Sequence, residues 1–197
     1  MSPPDDRLPI FPLGTVLFPG GSLPLRVFEA RYVDMTRDCL KNEHPFGVCL
    51  IREGREVGAP AVPESVGCIA RIVDCDMQQL GVIELRTHGE ERFRILSSSS
   101  TPQGLVVADI EPIAPERDAA VPPEYADCAA LLRKLVEAHG EALFATPHRF
   151  DSAKWVGYRL AEVLPLPLQA KQKLLELDDP VERLSLLHRV LASSRQP

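Results

Sequence analysis

The five cysteines of this 197-residue sequence offer no framework. Cys39, Cys49, Cys68, Cys75 and Cys128 are odd in number, and no two form a C-x-x-C pair. That argues against a disulfide scaffold and a zinc ribbon. Most sit in apolar stretches such as GVCLI and GCIARI, where cysteine behaves as a small hydrophobe. No uninterrupted apolar run approaches the ~20 residues of a membrane span, and the mean hydropathy is −0.05. The opening MSPPDDRLPI lacks the basic-then-apolar order of a secretory signal. The expectation is a soluble, cytoplasmic protein.

Positive charge is also short. The formal net charge is −6. Residues 1–115 carry about −5 (11 basic against 16 acidic side chains) and residues 116–197 about −1 (11 against 12). Neither part shows the basic footprint of a nucleic-acid binder. Aromatics are 6% of the chain, too few for a base-stacking platform. The nearest approach is Phe93 between Arg92 and Arg94, where strand alternation turns Phe93 and Ile95 inward and both arginines outward.

Catalytic signatures are missing as well. The sequence has no G-x-x-x-x-G-K-[ST], no G-x-G-x-x-G after a strand, no H-E-x-x-H and no G-x-S-x-G. His44, His88, His139, His148 and His188 are scattered, with none four residues from another histidine or cysteine. Glu90-Glu91 fits a solvated turn and Asp178-Asp179 a helix start. No catalytic residue, cofactor site or metal site is assigned.

What is present is a change of period. Short apolar runs divided by glycine and proline fill the first part: LPIFPL, TVLF, SLPLRVF, FGVCLI (46–51), GCIARIVDC (67–75), GVIELRT (81–87), ERFRIL (91–96) and LVVADIEPI (105–113). Such strands suggest a barrel or sandwich. Pro24 restricts SLPLRVF to an edge or a strand start, and a hairpin is expected around Met77–Leu80. One helix interrupts them, with Phe28, Tyr32, Met35, Cys39 and Leu40 at helical spacing. Residues 52–65 and 97–104 read as loops, and 114–123 as a linker.

Beyond the linker the period is helical. One helix is expected over 124–139, with Cys128, Leu132, Leu135 and His139 on a stripe. The next is expected to start at Asp151 as its cap, with Phe150 meeting Trp155 across the start. Pro165 and Pro167 stop it. LQAKQKLLEL follows, and Asp179-Pro180-Val181-Glu182 then opens a last helix with an N-cap, a first-turn proline and a capping-box glutamate. These residues form a small helical bundle.

Against this pattern the opening LPIFPLGTVLFPGGSLPLRVFEARYVDM resembles the N-terminal domain of the Lon protease family, especially its free-standing relatives. Leu8–Leu13, Val16–Gly20, Leu23–Glu29 and Arg31-Tyr32 take the places of that family's L-P-L-F-P-L strand, V-L-F-P-G turn, L-P-L-x-I-F-E strand end and R-Y helix. FGVCLI, VGCIARIVD, the G-x-x-R-F-R-I of Gly89–Ile95 and the K-Q-x-L-L-E of the tail follow in order. The resemblance implies an α+β fold: a PUA-like, mostly antiparallel β pseudo-barrel over residues 1–115, then a helical bundle over 116–197. It also implies a non-catalytic module that binds protein or unfolded peptide segments, without the ATPase or the Ser–Lys peptidase that follow in complete Lon. Strand addition at an open sheet edge and apolar docking in a groove between domains are the expected binding modes. An RNA-binding PUA-like protein and a small hydrolase are the alternatives. Arg26, Glu29, Arg31 and Tyr32, where a strand hands over to a helix, are the candidate protein-binding residues. The plainer role of Glu29 is to charge the helix N-terminus favourably while the arginines solvate it.

Overall fold

The computed structural model describes residues 7–79, 81–140, 144 and 146–193; the opening Met1–Asp6 and Leu80 of the expected hairpin lie outside them. The chain divides into two compact units, one ending at Ile113 and the other beginning at Ala114. The fold is α+β, with a mostly antiparallel seven-stranded sheet in the first unit and most of the helix in the second.

The strands are β1 (Leu8–Leu13), β2 (Ser22–Val27), β3 (Phe46–Glu53), β4 (Val62–Pro63), β5 (Val66–Gln79), β6 (Val82–Ser100) and β7 (Val106–Pro112), and helix α1 (Ala30–Asn42) enters after β2. The order β1-β7-β6-β5-β3 closes on itself because β1 also pairs with β3, in parallel. Closure covers the strand edges only where both neighbours pair: β5 meets β3 over Cys68–Ala70, and beyond that it pairs with β6 alone. Alternation along β1 and β3 feeds two apolar clusters. Phe11, Phe46 and Val48 join Ile83, Leu85 and the α1 residues Tyr32, Met35 and Cys39. Ile10 and Cys49 join Phe93, Val106 and Ala108. Gly89 is required by a close approach: its N–H donates to Gly21 O at 2.8 Å, its carbonyl accepts from Gly20 N–H at 2.7 Å, and a Cβ there would overlap the carbonyl oxygen of Phe18.

Several local expectations are corrected. GVIELRT and ERFRIL are not two strands but parts of the single β6, which extends through Ser100 and absorbs half of the expected 97–104 loop. One long strand can serve partners on both sides: β2 and β5 flank its first half, and β7 pairs with its second. Register shifts between β5 and β6 break the alternation, so Arg92 is buried beside Phe93 and only Arg94 faces solvent. Glu90 lies in β6, not in a turn, and its carboxylate accepts from Arg71 Nε and Nη2 at 2.5 and 3.2 Å.

The second unit comprises a 3-10 turn (Pro123–Tyr125) and helices α2 (Ala126–His139), α3 (Ala153–Val163), α4 (Leu168–Glu176) and α5 (Pro180–Ser193). Helix α3 packs against the other three helices. Its cap is Ser152, one residue after the expected Asp151; the Ser152 hydroxyl accepts from Trp155 N–H at 2.9 Å. Phe150 does meet Trp155, edge to face at 5.3 Å. On α2 the buried stripe is Cys128, Ala129, Leu132 and Val136, while His139 is exposed. The cap and first-turn proline of α5 are as read, with Asp179 Oδ1 accepting from the N–H groups of Val181 and Glu182 at 2.8 and 3.3 Å. The Glu182 carboxylate does not return to Asp179 N–H, so the expected capping box is not closed.

Residues 114–123 are not a loose tether. Ala119 O accepts from Ala153 N–H at 2.8 Å, and Val121 N–H donates to Asp151 O at 2.9 Å. Glu116, with 1% of its side chain exposed, accepts from both terminal nitrogens of Arg183 at 2.9 and 2.7 Å and from the Tyr158 hydroxyl.

Near the end of α3, Glu162 accepts from Arg159 Nη2 at 2.8 Å. Burial nevertheless pushes its carboxyl up to about 7, against the pull of Arg159 and Lys171. The folded chain therefore holds this proton more tightly than the unfolded chain between the ordinary carboxylate range and about 7. Stability is greatest below that window and falls as pH rises through it. With 21% of the side chain still exposed, the loss is expected to be about 2 kcal/mol. Urea unfolding followed by Trp155 fluorescence at pH 5 and pH 8 checks this, with Glu162→Gln expected to remove the difference.

Candidate protein-binding site

The β2–α1 junction follows from simple patterning. Leu23, Leu25 and Val27 alternate towards the core while Pro24 and Arg26 face out. β2 pairs only with β6 among the described residues, so its other side is a sheet edge, as Pro24 requires. The chain then turns at Glu29, whose extended backbone (φ −74°, ψ 134°) makes it the N-cap of α1. Its carbonyl accepts from the N–H groups of Tyr32 and Val33 at 3.0 and 2.9 Å.

A groove of about 370 Å³ lies along this junction, within the range of ligand-holding clefts. Arg26, Glu29 and Tyr32 line it, with Phe28 and with Val57 from the 52–65 segment. Glu56 fastens that segment, its Oε1 accepting from Gly14 N–H at 2.5 Å. The Tyr32 ring stacks on Phe11, centroids 3.9 Å apart and planes 18° from parallel. Burial raises the Tyr32 phenol, with the Arg31 charge opposing, so it stays protonated and able to donate at neutral pH.

Three of the four candidate residues thus border one groove, and the fourth stands behind it. Arg31 does not solvate the helix end: it is 7% exposed, donates to Glu29 Oε2 at 2.9 Å and to Gly104 O at 3.0 Å, and lies 4.7 Å from the Tyr32 ring centre. It ties α1 to the β6–β7 turn and holds Glu29. Phe28 was expected on the buried face of α1. It precedes the helix and is 53% exposed in the groove wall, while Leu40 is 45% exposed on the helix itself. The signal that could have found Phe28 is its position before Glu29, since a residue preceding a cap need not follow the helical face.

Elsewhere, four cysteines are buried and Cys75 is exposed. Burial raises the Cys39 thiol to about 12 and pushes Cys49 up further, which leaves both poor nucleophiles at neutral pH. Among the described residues one mixed donor group assembles: ligand atoms of Asp127, Cys128 and His188 lie within 4.8 Å of one another. His188 Nδ1 is 3.0 Å from Asp127 Oδ1, and Cys128 is wholly buried. The Asp127–His188 pair links α2 to α5. No helix among the described residues is long and apolar enough to cross a membrane.

The sequence profile of the ATP-dependent protease La (LON) substrate-binding domain matches residues 7–193. The chain belongs to the Lon substrate-binding domain family. The Lon protease of Anaeromyxobacter dehalogenans (strain 2CP-C) is 26% identical over 196 residues, covering 96% of this chain and 23% of the relative. Lon protease 2 of Myxococcus xanthus is also 26% identical over 196 residues, covering 96% of this chain and 24% of that protein. The chain therefore spans about a quarter of these Lon relatives. The crystal structure of a Lon N-terminal domain protein from Xanthomonas campestris superposes with a TM-score of 0.78 at 39% identity, covering 94% of this chain and 98% of that one. The N-terminal domain of the Mycobacterium avium complex Lon protease, 19% identical with a TM-score of 0.60, covers 98% of this chain and 100% of its own and shares the fold.

Proposed function

We propose that this chain is a non-catalytic recognition module that holds an unfolded protein segment along the β2 edge, with apolar side chains of that segment in the groove beside Phe28. The observation that carries the reading is an exposed aromatic and a buried tyrosine bordering one cleft next to an unpaired strand edge. An extended segment gains backbone hydrogen bonds from the edge and specificity from the pocket. Arg26 offers a charged contact at the rim, Tyr32 a hydroxyl donor, and Glu29 and Arg31 position the helix start. Net charge of −6 favours a protein client over RNA.

The test is fluorescence anisotropy with a labelled, reduced and carboxymethylated polypeptide that cannot refold. Phe28→Ser combined with Arg26→Ala, both at exposed positions, is expected to weaken binding about tenfold or more with the circular dichroism spectrum unchanged. Undiminished binding by that variant overturns the site. Binding of an RNA oligonucleotide that weakens steeply with salt, with no polypeptide binding, overturns the client class.

A further inference from the structure

The helical unit carries a second cleft, unrelated to the β2 edge. Helices α4 and α5 splay to leave a groove of about 510 Å³, floored by the buried Leu174 and Leu187. Leu166 and Ala170 border one side, Leu186 and Val190 the other, and Val190 remains 41% exposed. The short side chains of Ala170 and Ser193 leave the space that makes it a cleft. Among the described residues, its charged lining residues are Lys173 and Arg189. Among the described residues, neither forms an ion pair and no carboxylate lines the groove.

We propose that the α4–α5 groove docks an amphipathic helix of a partner protein, its apolar stripe on Leu174, Leu187 and Val190 and its flanking carboxylates beside Lys173 and Arg189. A trough between two helices is completed by a third helix packing ridges into it, whereas a strand would find no backbone edge there. Two unpaired cations, in a chain of net charge −6, select an acidic flank. They also disfavour a second copy of this chain, because a two-fold contact through the groove would bring the same cations from both sides. The inference goes beyond the β2 groove and does not rest on it: the two sites lie in different units and recognise different backbone conformations.

The experiment uses the full chain and labelled synthetic peptides of about four helical turns, with leucines at i, i+4 and i+7 and either glutamates or lysines flanking them. The Glu-flanked peptide is expected to bind at least about tenfold more tightly than the Lys-flanked one, the preference shrinking as salt rises. Lys173→Glu with Arg189→Glu is expected to reverse that order, and Val190→Glu to weaken the Glu-flanked peptide about tenfold or more; all three positions are exposed, so the fold should persist. Phe28→Ser should leave this binding unchanged. Equal affinity for both peptides, or binding insensitive to the charge reversal, overturns the proposal. So does loss through Phe28→Ser alone, which would assign the peptide to the β2 groove. Concentration-dependent dimerisation in sedimentation that Val190→Glu abolishes overturns it too, by making a second copy the occupant.

Discussion

Replacing Glu116 with alanine is expected to destabilise the helical unit by about 3–5 kcal/mol. The cause is the charge left behind. Arg183 is 0% exposed, and its guanidinium lies 4.0 Å from the Tyr158 ring centre. Without Glu116 its remaining hydrogen-bond partners among the described residues are the carbonyls of Leu174 and Leu177, at 2.8 and 2.6 Å, which bring no negative charge. Those two bonds explain why arginine stands here: they satisfy carbonyls at the end of α4, while the other face of the planar fork takes the carboxylate in two bonds. Gly157 leaves room for the stem, since a Cβ there would sit 3.2 Å from Arg183 Cδ. Lysine has one ammonium in place of the fork, so Arg183→Lys is expected to cost about 2 kcal/mol or more. Tyr158→Phe removes one hydrogen bond and should cost about 1 kcal/mol. Trp155 is the only tryptophan and lies in α3, so its fluorescence during urea unfolding reports on the right unit. Glu137→Ala, at an exposed position on α2, is the control and should stay within about 0.5 kcal/mol. A similarly small effect of Glu116→Ala would mean that the pair contributes nothing to stability.

This cluster shows which part of the fold escapes a reading of the sequence. Glu116 lies in a stretch of proline, alanine and charge whose composition says linker, and its partner is 67 residues away. Composition is local; a buried ion pair is a property of the assembled unit. Where the determinant was local, it was legible. Asp179-Pro180 caps α5, Pro24 lies on an edge strand, and Phe150 meets Trp155, each decided by a few adjacent residues. Ser152 displaced Asp151 as the α3 cap because neighbouring residues with similar oxygen acceptors are separated only by the backbone angles. The merging of two strands into β6 depended on partners on both sides of a long strand, which no run of apolar residues announces.

The candidate site divides in the same way. A strand edge meeting a helix start was visible in LPLRVFEARY, and Arg26, Glu29 and Tyr32 border the groove there. The groove itself was not visible, because Val57 comes from a segment nearly thirty residues on, and the burial of Arg31 depends on Gly104. Two arginines five residues apart therefore have opposite environments: Arg26 is exposed and Arg31 is buried. Charge alone could not tell them apart.

Tyr32 is where stability and binding can be separated. Tyr32→Ala is expected to destabilise the β unit by about 3–5 kcal/mol, because the ring is 3% exposed, stacks on Phe11 and lies against the Arg31 guanidinium. Its loss opens a cavity between α1 and β1 and leaves a buried arginine without its aromatic neighbour. Tyr32→Phe keeps the ring and removes only the hydroxyl, which makes no hydrogen bond among the described residues; stability should change by no more than about 0.5 kcal/mol. If the phenol donates to a bound segment, the same variant weakens polypeptide binding about three- to tenfold, the worth of one hydrogen bond. Hydrogen exchange at β1 and β3 amides reads the first effect, since the β unit has no tryptophan, and anisotropy with the carboxymethylated polypeptide reads the second. Full affinity in Tyr32→Phe would confine this residue to building the groove floor and leave Arg26 and Phe28 as the contacts with the client.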